Sequence, residues 1–492
     1  TSGVDIWQGS YNQVGGTTPG DGNIISGNGG AGIRIYHSNS FNNVIEGNYI
    51  GTDVNGAFAL GNDIGVFIDG GRSNRVGGSN PLSVNLISGN QSSGIELRSG
   101  ARNNMIQRNL IGTDAFAVDP VSNANYGVLV NGSPDNWIGG RTNEGNIIAG
   151  NRWDGIGITG ADSAGNHVFG NWIGCSATLA PLSNGEHGIS VNNDALSNEI
   201  GSIVSGSVTN YIAFNGHDGV RVAGGTGNRI VQNLIFSNGW IGINLGADSY
   251  TTNDPDDEDS GANNMQNFPV LLSATNNGTQ ITVIGTIDGA QTSVKLIGYF
   301  GSSDVDPSGY GEGESVISTT NLVMIGPAGI TTFTNRFPTP ARPPSFITAT
   351  ATDGVTFDTS EFSYRLVLDS DHDGMPDGYE YDHFGGYKLG DPDEDEDGDK
   401  SSNLAEFMAG TDPGDPSSNL RFTEICLSGD DKAITFESSA TRRYDAGRSQ
   451  SVLGEGGWAT LLYKRAGTGG AITFTDEWDY AESYYRMVPT VP

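Results

Sequence analysis

Through the first half of the chain, apolar and polar residues alternate only in short bursts, each bounded by Gly or Asn. The burst Gly-apolar-x-apolar begins at Gly3, Gly32, Gly65, Gly94, Gly127, Gly155, Gly188, Gly219 and Gly242. A second burst, Asn-x-apolar, begins at Asn12, Asn43, Asn74, Asn104, Asn136, Asn166, Asn198 and Asn228. A third begins at Asn23, Asn48, Asn85, Asn109, Asn146, Asn171, Asn210 and Asn233. Such short alternating stretches predict strands, because an amphipathic helix needs a stripe at every third or fourth position over a longer run. Three strands in fixed order, repeated about every 30 residues, predict a coil. One turn cannot bury its own apolar face, whereas stacked turns share a continuous core in which like residues lie above like.

This pattern resembles a right-handed parallel β-helix over residues 1–262, with three strands per rung and about eight rungs. The phrase "GNYIGTD" at Gly47 to Asp53 returns as "RNLIGTD" at Arg108 and "GNWIGCS" at Gly170. Rungs with long and short connections alternate, so the echo spans two rungs. Thr52, Asp53, Thr113 and Asp114 then read as scaffold, since residues repeated in a solenoid serve every rung alike. Asn suits the corners: it tolerates left-handed backbone angles and can bond the Asn one rung away.

Beyond residue 262 the period vanishes. Short Val, Ile and Thr runs such as "ITVIGTIDG" and "SFITATATDG" predict a β-sandwich over 263–368. With "NNMQNFPVL" and "DPSGYGEGE", this region resembles the sandwich module that follows β-helices in many bacterial surface proteins. The tail, 419–492, alternates around turns and predicts a small C-terminal β-sandwich, so the whole chain is expected to be all-β.

Between them, 369–418 carries the clearest chemistry. In "DSDHDGMPDGYE", Asp369, Asp371, Asp373, Met375, Asp377 and Glu380 fall at positions one, three, five, seven, nine and twelve, with Gly374 at six. Those positions supply oxygens to calcium in an EF-hand loop: Met375 by its carbonyl, Glu380 by both carboxylate oxygens, with Gly at the sharp turn. "DEDGDKSSNLAE" repeats the spacing with Asp395, Asp397, Asp399, Ser401, Asn403 and Glu406, but Lys400 replaces the Gly. The pair resembles the tandem calcium modules of thrombospondin type-3 and dockerin-like proteins. Flanking carboxylates such as Asp391, Asp393 or Asp412 are further candidates for the shells.

Charge agrees with a cation partner. The 492 residues hold 24 Lys and Arg against 57 Asp and Glu, a net −33, which argues against nucleic acid or an anionic membrane surface. Two cysteines, Cys175 and Cys426, make no disulfide framework, and 75 glycines mark a turn-rich chain. No apolar run is long enough to span a membrane. The chain opens on "TSGVDIWQGS", without a signal peptide, and reads as a mature or trimmed product that is secreted, extracellular or at the cell surface. A strand pattern starting at Gly3 leaves open strand edges. That predicts either a removed cap or a neighbouring subunit packed head to tail, which would build a homo-oligomer or filament.

Parallel β-helices include pectate lyases and polygalacturonases, so a polysaccharide-cleaving or polysaccharide-binding protein is the rival expectation. Cleavage needs clustered carboxylates. The outward residues of the first strand column, Arg34, Phe67, Glu96, Leu129, Gly157, Ser190, Arg221 and Asn244, hold one carboxylate with no neighbour. The second column offers His167 beside Glu199. The third presents an apolar stripe, Tyr49, Leu86, Leu110, Ile147, Trp172, Tyr211 and Leu234, which is either a partner surface or is covered by the long loops. The expected function is a calcium-stabilised structural or adhesive component of a bacterial surface, with surface glycans or other copies of itself as partners, rather than an enzyme.

Overall fold

The computed structural model describes all residues except 203–207, 247–249, 305, 307, 429–430, 451–456, 477–482 and 492, and the side chains of 320, 321 and 428. The first half is a parallel β-solenoid built from three sheets of nine, eight and eight strands. The first sheet runs from Val4–Trp7 through Ile33–Tyr36 to Ile243–Leu245, the second from Gln13–Gly15 to Arg229–Ile230, and the third from Ile24–Ile25 to Leu234–Phe236. Each strand pairs in register with its equivalent one turn away, so Ile50, Ile87, Ile111, Ile148, Ile173 and Ile212 form one column. All six are fully buried. Identical β-branched side chains stacked at about 4.8 Å nest into each other and keep the sheet flat enough to coil.

Three corners carry Asn ladders, one more than the sequence pattern suggested. In the first, the main-chain N–H and Nδ2 of Asn43 both donate to Asn74 Oδ1, at 3.0 and 2.9 Å, and Asn74 repeats this toward Asn104. The second ladder includes Asn48, Asn85, Asn109 and Asn146. The third, Asn62, Asn90, Asn123, Asn151 and Asn184, was hidden in sequence because its neighbours are loop residues. The echoed phrase is scaffold as expected. Gly51 has φ 95°, and a Cβ there would lie 2.3 Å from Ser88 O. Asp53 Oδ1 accepts the N–H groups of Ala57 and Phe58, which closes the long loop.

Antiparallel sheets follow. Val270–Asn276, Gln280–Ile287 and Thr331–Pro338 face a four-stranded sheet of Ser315–Met324, Val294–Ser302, Phe346–Asp353 and Leu366–Val367. Between them lie Ile281, Val283, Ile297, Tyr299, Phe333, Phe337 and Ile347. This sandwich caps the end of the solenoid. Glu312 accepts the N–H groups of Ser237 and Asn238, Glu361 those of Leu245 and Thr251, and Thr359 Oγ1 that of Ile230. Gly313 exchanges two backbone hydrogen bonds with Ile235. The first Asn ladder ends on Asn263, whose Oδ1 accepts from Asn228 N at 3.0 Å and whose Nδ2 reaches Thr359 O at 3.1 Å. Backbone groups that a further rung would have paired are thus satisfied.

Two short helices come next, α1 (Asp377–Phe384) and α2 (Asn403–Ala409), each ended by a left-handed Gly. Arg442 from the last β region donates to Phe407 O at 2.8 Å, and Tyr444 Oη donates to Ala409 O at 3.1 Å. The helices therefore join the sandwich to the C-terminal sheets, which are Phe422–Ser428, Asp431–Glu437 and Ala471–Asp476 in one layer and Arg443–Ser449, Ala459–Ala466 and Tyr484–Thr490 in the other.

Candidate functional site

The two acidic loops fold alike. In the first, Asp369 accepts from the N–H groups of His372 (2.7 Å) and Gly374 (3.1 Å), and Asp373 from that of Met375 (2.8 Å). In the second, Asp395 accepts from Gly398 (2.8 Å) and Lys400 (2.9 Å), and Asp399 from Ser401 (2.7 Å). Lys400 adopts φ 84° where Gly374 has φ 99°, so the turn survives the substitution. These bonds bring one oxygen each of Asp369, Asp371 and Asp373 within 4.8 Å of one another, and likewise Asp395, Asp397 and Asp399.

The twelfth residue of each loop, carried on the following helix, is fully buried beside its cluster. Neither oxygen of Glu380 has a hydrogen-bond partner among the described residues, and Oε2 of Glu406 has none. Asp397 Oδ2, Asp399 Oδ2 and Asn403 Oδ1 are in the same condition. Burial, reinforced by Asp371 and Asp373, pushes the Glu380 carboxyl up to about 8. Burial, with Asp397 and Asp399, takes Glu406 to about 7. Buried carboxylates are ordinarily paired or ligate a metal, and this donor set of hard oxygens fits calcium. Met375 is buried at position seven and Ser401 is half-buried. Asp377 is placed differently from its partners: its oxygens accept from Ser370 N, Ser370 Oγ and Asn276 Nδ2 at 2.7 to 2.9 Å, which ties the loop to the sandwich. Asn403 uses its Nδ2 on Asp391 O, while its Oδ1 is buried without a partner among the described residues. Of the flanking acids, Asp391 acts electrostatically on Asp373 and Asp415 on Asp397, while Asp412 faces His383.

The apolar stripe of the third sheet is half-buried at Tyr49, Leu110, Ile147, Trp172, Tyr211 and Leu234, and Leu86 is fully enclosed. Loops lie over it: a Cβ on Gly56 would meet Leu86 Cδ2 at 2.6 Å and Ala115 Cβ at 2.9 Å. The same loops turn Phe58 and Phe116 outward to solvent. On the second sheet, His167 Nδ1 lies 3.1 Å from Glu199 Oε2, and Arg229 Nη1 is 3.7 Å from Glu199 Oε1. Trp137 stacks on His167 at 4.2 Å.

The first sheet departs from expectation. Glu96 has Phe67 and Leu129 as its column neighbours and is buried against the Arg98 guanidinium. Further along, the corner before the strands supplies a polar cluster that strand columns alone could not reveal. Asp154 Oδ2 accepts from Ser190 Oγ at 2.6 Å, and Oδ1 from His187 N at 2.9 Å. His187 Nδ1 lies 3.2 Å from Asp218 Oδ2, and Arg221 Nη1 is 3.3 Å from His187 Nε2. Glu186, His217 and Trp240 border the cluster. Aligning the two residues ahead of each repeat glycine, Trp153-Asp154, Glu186-His187 and His217-Asp218, would have exposed it.

Fold and sequence define a class, a parallel β-solenoid followed by antiparallel β-sheets. No protein-family model and no curated protein matches the chain. Among solved structures, a mutant tailspike protein of E. coli bacteriophage HK620 in complex with pentasaccharide is 12% identical, covering 68% of this chain and 68% of that one at a TM-score of 0.22. A likeness that weak bears on neither site nor substrate.

Proposed function

We propose that this chain is an extracellular structural or adhesive β-solenoid whose joint between sandwich and C-terminal sheets is locked by calcium. The observation that carries the reading is Glu380, fully buried with two unpartnered oxygens beside the carboxylates of Asp369, Asp371 and Asp373. Asp369, Asp371, Asp373, the Met375 carbonyl and Glu380 would hold one ion. Asp395, Asp397, Asp399, Ser401, Asn403 and Glu406 would hold the other. Extracellular calcium modules work at roughly 10⁻⁴–10⁻³ M, a concentration met outside cells, which supports secretion or surface display. The test is limited proteolysis with and without EDTA. Cleavage within 369–418 should accelerate at least about tenfold without calcium while the solenoid fragment persists. Equal digestion in both conditions would sink the calcium reading.

A second reading, glycan binding, is favoured by the second sheet. Trp137 is 39% exposed and stacked on His167, beside the Glu199 and Arg229 pair, an apolar face next to hydrogen-bonding groups. Binding suits this strip better than cleavage, because both Glu199 oxygens are engaged by His167 and Arg229. Affinity electrophoresis in gels containing acidic polysaccharides tests it: retardation that Trp137→Ala leaves unchanged would remove this strip from consideration.

A further inference from the structure

The corner formed by Glu186, His187 and His217 brings two imidazoles into one cluster, whereas the clusters of the acidic loops hold carboxylates alone. One ligand atom from each of the three lies within 4.8 Å of the other two. We propose that this corner is a metal site of a second kind, selective for a zinc-class transition ion over calcium. Two imidazoles and a carboxylate suit zinc, nickel or copper, whereas calcium takes oxygens.

The surroundings prepare His187 for that role. Its Nδ1 faces Asp218 Oδ2 at 3.2 Å, and the same oxygen accepts from Asn244 Nδ2 at 3.2 Å. Asp218 flanks that Nδ1 twice, with its carboxylate and with its main-chain N–H, which donates to the ring at 3.3 Å. On the other side of the ring, Arg221 Nη1 stands 3.3 Å from Nε2, and a guanidinium can only donate. A buried carboxylate behind an imidazole is the support that metal-ligating histidines use. Asp218 is fully buried, and its Oδ1 has no hydrogen-bond partner among the described residues. His217 is held by stacking on Trp240 at 4.1 Å, and both Glu186 and His217 are half-buried at the solvent edge. Arg221 is the competitor a cation must displace from Nε2. It is half-buried, and its Nε bond to Gly246 O at 3.4 Å could persist while Nη1 withdraws.

The experiment uses the full chain in saturating calcium, so that oxygen sites are filled, with zinc titrated calorimetrically and cobalt followed by its visible absorption. One zinc equivalent should be bound, and His217→Ala and Glu186→Ala should each weaken it at least about tenfold with the solenoid melt unchanged. Asp218→Asn, which acts through His187, should weaken it by roughly 10- to 100-fold. Arg221→Ala should tighten it, an effect a merely structural corner would not show. Zinc binding that survives both His217→Ala and Glu186→Ala, no zinc binding in saturating calcium, or weaker binding in Arg221→Ala would each overturn the proposal.

Discussion

Asn109 and Glu380 are both fully buried polar side chains, and their surroundings could hardly differ more. Asn109 Oδ1 accepts from Asn85 Nδ2 at 2.9 Å, while its own Nδ2 donates to Val76 O and Asn146 Oδ1, each at 3.0 Å. Every rung supplies the partner for the next. Glu380 sits among like charges with both oxygens unpartnered among the described residues. The Asn ladders of the solenoid satisfy their buried amides by repetition, from within the chain. On the calcium reading proposed above, the acidic module leaves that task to a cation from solution. Stability of the first region should therefore be indifferent to the medium, and that of the second should be set by it.

The strongest way to break this contrast is to interrupt the ladder. Asn109→Ala takes the side-chain donor from Val76 O and one of its two acceptors from Asn85 Nδ2, which keeps Ile45 O, and at about 1–3 kcal/mol for each buried bond lost it should cost roughly 2–6 kcal/mol, read from denaturant midpoints with or without calcium. Glu380→Gln should change sign with the medium. In EDTA it removes one charge from a crowded cluster and should raise the melting temperature of the module by roughly 5 °C, whereas in calcium it should lower it. Equal shifts in both media would mean that the carboxylate does not meet a cation.

The junction between the regions should respond to pH. Burial raises the Glu361 carboxyl from 4.5 to about 7. A carboxyl whose folded value lies above its unfolded one binds its proton more tightly in the folded state. Its contribution is therefore full below about pH 4.5 and is lost as pH rises toward 7. Melts in saturating calcium between pH 5 and 8 should decline over that window, and Glu361→Gln should flatten the decline. The smallest effect is expected at Lys400, whose φ of 84° costs a residue with a Cβ about 1 kcal/mol. Lys400→Gly should stabilise the calcium-loaded module by about 0.5–1 kcal/mol in denaturant titrations.

The solenoid was legible in sequence because its rule is repeated: each Gly-apolar-x-apolar burst became a strand of the first sheet, and the Asn bursts became the other two. The matching turns of the acidic loops were legible for the same reason, as fixed intervals encode turns. Asp377 shows the limit. Its carboxylate also accepts from Asn276, 101 residues earlier, and no local spacing announces so distant a partner. The cover over Leu86 escaped a reading by strand alternation, because it depends on how loops such as the one through Gly56 fold back. Asp154, His187 and Asp218 were missed because they precede the strands, where the repeat tolerates variation and function can accumulate.

The cap on the solenoid also has a consequence in time. Gly227 N bonds Asp358, and Ile230 N bonds Thr359, across sequence separations of 131 and 129 residues. A ribosome adding about 5–20 residues per second needs roughly 7–26 s to deliver the second partner after the first. During that interval the earlier rungs can already be stacked, each on the one made before it, while the newest strand edge stays unpaired and able to capture another chain. The sandwich is thus the closing step of a process that runs along the chain, and a nascent protein halted before residue 358 would retain an adhesive end.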